Sequence, residues 1–342
     1  MKKVVWMGVI LGIFLSYSGY SQQEEFRFSN YQEMRKYLGE LYNQKRYGEA
    51  AAILEVALTR FPQQFFANSY NLALMYGHLG EYENGIDALS KCLEKGFWFG
   101  KYAFVNKDVW GPYKNLKSFQ ALLERNEMLW KEDQKKAKPD LLVETPEGYD
   151  SEKAYPLFIA LHGGNSNIAN FKRSWQSKRM RKEFVVLYVQ SSQLVSMNGY
   201  NWTEDIELSK KEIVDAYKKT IRTYGVLKDK VIIGGFSSGG VAALEIVLHN
   251  TIPVAGFIAL CPAKPDSFTA ESVGEAKERG LRGTILTTEM DPRLPAQREM
   301  NEILETEDFP CEFIVTPDIG HWFPEDLDKK IDNAIEFILI KK

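Results

Sequence analysis

Val231-Ile232-Ile233-Gly234-Gly235-Phe236-Ser237-Ser238-Gly239-Gly240 decides how the chain is read. Val231 to Gly235 is a short β-branched run, and Ser238 to His249 follows with the apolar period of a helix. Between them lies G-x-S-x-G, from Gly235 to Gly239, in strand–turn–helix context. A turn this tight leaves no room for side chains on either flank, which is what the glycines answer. It raises Ser237 Oγ above the sheet edge and points a helix N-terminus, with its free N–H groups, at the same place. A phosphate-binding loop is a poorer reading, because no G-K-[ST] follows and the G-x-G-x-x-G spacing is absent.

Working outward, further strand-like runs are Tyr155–Leu161, Phe184–Val189, Phe257–Leu260, Thr284–Thr288 and Phe313–Thr316. Helical patterns lie between or after them at Asp205–Tyr224, Pro295–Glu305 and Asp326–Ile340. This alternation predicts an α/β domain over 140–342, with a mostly parallel sheet and helices on both faces.

A serine hydroxyl needs a base, and histidine is the usual one. The chain has four histidines, so elimination is possible. His78 belongs to a helical repeat near the N-terminus. His249 is twelve residues into the helix after Ser237, about 18 Å away. His162 ends the Tyr155–Leu161 strand. His321 lies in a loop between the last strand and the last helix, where the order Ser…Asp…His requires its base. Asp291, three residues beyond the Thr284–Thr288 strand, is the expected acid, with Glu289 and Asp318 as rivals. His162-Gly163-Gly164-Asn165 supplies a loop able to turn N–H groups inward, so the N–H groups of Gly164 and Ser238 are the expected oxyanion donors. Trp202 and Trp322 are candidate substrate-binding aromatics, with packing as the equal alternative.

Taken together, these residues resemble the α/β-hydrolase superfamily, nearest to the serine esterases that include feruloyl esterases, dienelactone hydrolases and carboxylesterase/phospholipases. The resemblance covers about three-fifths of the chain. It implies a carboxylic ester hydrolase with Ser237 as nucleophile, Asp291 as acid and His321 as base, working through an acyl-enzyme without metal or other cofactor. Asn165 departs from the pattern, standing where many relatives with an HGGG loop have a third glycine. A peptidase of the same fold, and a catalytically silent binding protein, are the alternative readings.

The N-terminal part reads differently. Arg46-Tyr47-Gly48-Glu49-Ala50 recurs as Glu81-Tyr82-Glu83-Asn84-Gly85, an offset of 35 residues, and Leu54 pairs with Leu89 at the same spacing. This resembles two tetratricopeptide repeats, whose period is about 34 residues. Two repeats need a cap, for which the aromatic-rich stretch from Phe97 to Trp130 is the candidate. The expected organisation is therefore a helical module over 22–130, a charged linker over 131–139 and the hydrolase domain beyond. Such repeats imply a protein partner or, as the equal alternative, a purely structural extension packed on the hydrolase domain.

Lys2 and Lys3, the apolar run Val4–Leu15 and the small residues up to Ser21 read as a cleavable signal peptide over 1–21, implying a secreted or periplasmic protein. Its loss would take the net charge from −3 to −5. That balance gives no attraction for nucleic acid. Cys92, Cys261 and Cys311 share no close spacing, which excludes a zinc knuckle or a disulfide framework; buried free thiols are expected, with a Cys261–Cys311 pair in an oxidising compartment as the alternative.

Overall fold

The computed structural model describes residues 28–340; the expected signal peptide lies outside them. Six helices come first: α1 (Tyr31–Asn43), α2 (Tyr47–Arg60), α3 (Phe65–Leu79), α4 (Tyr82–Glu94), α5 (Lys107–Lys114) and α6 (Lys117–Lys136). The α/β part follows as β1 (Asp140–Glu144), β2 (Tyr155–Leu161), α7 (Ile168–Ser174), α8 (Lys178–Glu183), β3 (Val185–Gln190), β4 (Gln193–Ser196), β5 (Gly199–Asn201) and α9 (Ile206–Thr223). It continues through β6 (Val226–Phe236), α10 (Ser238–Leu248), β7 (Gly256–Leu260), α11 (Ala270–Glu278), β8 (Arg282–Thr288), α12 (Leu294–Thr306), β9 (Cys311–Thr316) and α13 (Leu327–Leu339).

Two compact units divide the chain. The first runs to Cys92 and takes in Asp108–Phe119; the second comprises Leu93–Lys107 and everything from Gln120 onward. In the first unit α1–α2 and α3–α4 are successive helix pairs, packed through Leu41, Ala50, Leu54, Leu72, Met75 and Ala88. Tyr113 of α5 is fully buried among them and its hydroxyl donates to the Ala73 carbonyl at 2.6 Å. Gly85 makes room for that ring: a Cβ there would stand 2.0 Å from Tyr113 Oη.

The second unit is built on a seven-stranded sheet in the order β1-β3-β2-β6-β7-β8-β9. All neighbours are parallel except β1, which pairs antiparallel with β3 at one edge. Side chains alternate across a strand, so Leu157, Ile159 and Leu161 of β2 pack on one face with α9 to α12. Phe158 and Ala160 pack on the other with α7, α8 and α13. Both faces of the central strands are covered, which is why those strands read as near-continuous apolar runs.

The charged stretch 131–136 is helical, completing α6, and only Ala137 to Pro139 lack regular structure. Trp130 Nε1 donates to the Leu194 carbonyl at 3.0 Å. Gln134 gives Nε2 to the Ser192 carbonyl at 2.9 Å and accepts the Leu194 N–H at 2.8 Å. Residues 93–107 belong to the same body: Lys101 N–H donates to the Val195 carbonyl at 3.0 Å, and its ammonium pairs with Glu204. No described helix is long and apolar enough to cross a membrane.

The packing around Tyr113 generates a stability prediction. Gly85→Ala must displace a buried ring and is expected to cost about 1–3 kcal/mol, seen as a lower melting temperature. Gly48→Ala, where an added Cβ meets nothing within 4 Å, is expected to be neutral or to stabilise by up to about 1 kcal/mol. Equal melting temperatures for the two variants would refute this packing account.

Candidate active site

The parallel register brings the C-terminal ends of β6, β7, β8 and β9 to one edge of the sheet, with Phe236 opposite Leu260, Leu260 opposite Leu286 and Thr288 opposite Thr316. Ser237 leaves β6 at φ 54° and ψ −116°, a left-handed conformation that costs about 1–3 kcal/mol in a non-glycine residue. The turn is held by the Ser237 N–H, which donates to the Leu260 carbonyl at 2.8 Å. Its flanking glycines are obligatory. A Cβ on Gly239 would lie 2.3 Å from the Leu161 carbonyl oxygen, and one on Gly235 would lie 2.6 Å from the Gly239 carbonyl carbon.

Ser237 Oγ is 2.9 Å from His321 Nε2, and His321 Nδ1 is 2.8 Å from Asp291 Oδ2. The three residues singled out from the sequence are therefore a connected chain of hydrogen bonds. Their Cα atoms come from three loops at the same sheet edge. Neither rival acid takes part: Glu289 accepts the Asp318 N–H at 3.1 Å. Burial alone would push the Asp291 carboxyl up, but the hydrogen bonds from His321 and from the Arg293 N–H hold it below the usual carboxylate range. An ionised carboxylate on Nδ1 fixes the tautomer in which Nε2 is free to accept the serine proton.

Gly164 faces Ser238 across the end of β2, since a Cβ on Gly164 would lie 3.4 Å from Ser238 Oγ and 3.1 Å from Asn201 Oδ1. Ser238 opens α10, so its N–H has no helical partner. Asn201 Oδ1 and Ser238 Oγ are themselves buried without a hydrogen-bond partner in the protein. Asn165 sits at φ 55°. Asparagine tolerates that region better than most residues, so the loop takes its turn despite lacking the third glycine.

His162 points inward as a support. Its Nδ1 donates to the Gly163 carbonyl at 2.7 Å and its Nε2 faces the Ser191 N–H at 3.4 Å. Burial pushes its pKa down to about 4, so it is neutral.

Of the two candidate aromatics, Trp202 requires correction. It is 0% exposed, packs in the core, and donates Nε1 to the His162 carbonyl at 2.8 Å, so it braces the loop and offers no face to a substrate. Trp322 is 64% exposed beside His321, with its ring edge-on to Phe236 and Phe323.

Three features escaped the sequence reading. Phe236 stacks on His321 with ring centroids 4.9 Å apart. Arg293 Nη1 lies 3.1 Å from Nδ1 and 3.0 Å from Nε2 of the same ring. The buried thiol expected at Cys261 proves to stand at φ 50° at the end of β7, next to Asp291 and His321. The placement of Phe236 inside the motif and of Arg293 two residues after Asp291 were the available signals. Among the described residues, Cys261, Asp291 and His321 are the one trio with metal-ligating atoms mutually within 4.8 Å. Its chemistry suits a metal poorly: burial pushes the Cys261 thiol up to about 12, and Asp291 and His321 already bond each other. Among the described cysteines, all three are free. A shallow depression of about 900 Å³ opens at the β1 edge, lined in part by Leu141, Asn170, Arg173, Gln190, Asn198 and Tyr200, and no member of the Ser237–His321–Asp291 chain lines it.

This strand order, with its serine turn and aligned loops, defines an α/β-hydrolase. Residues 149–321 match the Phospholipase/Carboxylesterase family, and the chain belongs to that family; it is a carboxylic ester hydrolase. Among solved structures, it resembles an uncharacterized protein from Bacillus cereus ATCC 10987 at 25% identity and a TM-score of 0.51, covering 92% of this chain and 100% of that one. It is also similar to a feruloyl esterase module from Clostridium thermocellum complexed with sinapinate, at 20% identity and a TM-score of 0.46, over 58% of this chain and 83% of that one. A phospholipase/carboxylesterase from Dyadobacter fermentans DSM 18053 aligns at 17% identity and a TM-score of 0.42, over 58% of this chain and 97% of that one. No curated protein matches.

His162 carries a pH prediction. Unfolded, the imidazole titrates near 6.5; folded, it titrates near 4. Between those values the unfolded chain binds more protons, so stability falls as pH drops from 6.5 towards 4 and this contribution then levels off. The loss is expected to approach about 3 kcal/mol. Urea denaturation of wild type and His162→Gln at pH 7 and pH 4.5 measures it; an unchanged pH dependence in the variant would overturn the assignment.

Proposed function

We propose that the chain is an exported serine esterase whose nucleophile, base and acid are Ser237, His321 and Asp291. The observation that carries this reading is the unbroken path from Ser237 Oγ to His321 Nε2 at 2.9 Å and from His321 Nδ1 to Asp291 Oδ2 at 2.8 Å. Ser237 Oγ attacks the ester carbonyl while its proton passes to Nε2. The resulting oxyanion is met by the N–H groups of Gly164 and Ser238, donors held in place before charge develops. Collapse of the tetrahedral intermediate breaks the bond to the alcohol oxygen, which leaves with the proton from Nε2, and Ser237 is acylated. Water then gives a proton to Nε2 and attacks the acyl carbon, and the same steps in reverse order free the acid and restore the serine. Export rests on the Lys2–Ser21 leader alone.

Treating the full chain with a fluorophosphonate, followed by peptide mass spectrometry, tests the assignment. The adduct is expected on Ser237 and is expected to vanish in His321→Ala. Against a short-chain ester, Ser237→Ala or His321→Ala should lower kcat by at least about 10³-fold, and Asp291→Asn by about 10³–10⁴-fold. Labelling on another residue, or an Asp291→Asn variant of full activity, would refute these roles.

A further inference from the structure

Acyl transfer by Ser237, His321 and Asp291 makes no use of the Arg293 side chain, yet its guanidinium is the cation nearest to the base. Its Nη1 is almost equally far from both ring nitrogens of His321, at 3.1 and 3.0 Å. Both nitrogens are engaged in the ring plane, one by Asp291 and the other by Ser237. A position so close to both can only lie off that plane, so Nη1 stands over the imidazole face. It is half-buried. No described carboxylate forms an ion pair with it, and the Asp291 oxygens face His321 Nδ1 and the backbone N–H of Arg293. Lys264, by contrast, is paired with Glu299 at 3.3 Å.

A guanidinium is permanently charged. Over an imidazole that must take up a proton in every turnover, an unanswered cation opposes the reaction. An anion placed on the guanidinium removes that opposition and adds a forked, charge-assisted pair of hydrogen bonds. Since Nε2 gives its proton to the departing oxygen, a group held at Arg293 belongs to the alcohol side of the ester. The neighbouring side chains Met290 and Trp322 are 67% and 64% exposed, so this side is open to solvent.

We propose that Arg293 receives an anionic group, carboxylate or phosphate, carried on the alcohol portion of the ester substrate, and that the substrate thereby supplies the counter-charge under which His321 works. The proposal rests on the assignment of Ser237 and His321 as nucleophile and base, and its test separates the two.

The acetyl esters of 3- and 4-hydroxybenzoate would be compared with their neutral methyl-esterified counterparts, and 4-acetoxyphenyl phosphate provides the phosphate arm. In the wild-type full chain, kcat/KM is expected to favour at least one anionic ester over its neutral counterpart by about tenfold or more. Arg293→Gln is expected to bring that ratio to within about twofold of one, with Arg293→Lys between, because an ammonium keeps the charge and loses the fork. A wild-type ratio near one for every anionic ester, or a ratio unchanged in Arg293→Gln, overturns the proposal. Calorimetric titration with 4-hydroxybenzoate and with inorganic phosphate reads the anion site without turnover. Binding of either by wild type and its loss in Arg293→Gln supports the site even if the fluorophosphonate spares Ser237, an outcome that would instead refute the catalytic assignment. Absence of binding by wild type overturns the anion site whatever Ser237 does.

Discussion

The close approach of three backbone segments at the turn around Ser237 sets the geometry of everything else in the α/β unit. Gly239 lies against the carbonyls of Leu161 and His162, and Gly235 against Gly239 itself. The end of β2, the end of β6 and the start of α10 are thereby brought as near as backbones can come. One bond, from the Ser237 N–H to the Leu260 carbonyl, then ties this knot to β7. The left-handed conformation of Ser237 survives because these contacts over-determine it, and its direction carries Oγ to the imidazole.

Support for the site is layered behind that turn. His162 is neutral and inward, so the Gly163–Asn165 loop is anchored by a ring that makes no demand on charge. Trp202 closes the back of the loop through the His162 carbonyl. On the other side Thr288 donates to the Gly320 carbonyl at 2.7 Å, steadying the residue before His321. The loops that carry Asp291 and His321 are further joined by the Met290 N–H on the Ile319 carbonyl at 2.9 Å. Rigid elements thus hold each polar group before a substrate arrives, which is the condition for electrostatic catalysis.

What could be read in the sequence was what local pattern and chain order encode. Tyr155–Leu161 is β2 in full, and the strand ends that carry Ser237, Asp291 and His321 fell where alternation placed them. The edge strand β1 and the hairpin of β4 and β5 went unread, because Asp140–Glu144 has an exposed and irregular burial pattern and the hairpin strands are only four and three residues long. Their strand character comes from partners distant in sequence. Trp202 was misread for a similar reason: an aromatic near a loop can face either way, and only the position of the His162 carbonyl decides it. Arg293 was invisible because its role depends on a ring 28 residues further on.

The hydrogen bonds between α6 and β4 have a bearing on how such a chain changes over generations. Trp130 and Gln134 satisfy main-chain groups of Ser192 and Leu194 that an antiparallel hairpin of two short strands leaves open. A recombination event that cut between the last helix and the first strand, where the sequence looks most permissive, would hand on an enzyme with bare peptide groups in that hairpin. The durable unit of inheritance therefore reaches back into α6, and the junction at Ala137–Pro139 is a poor place for shuffling.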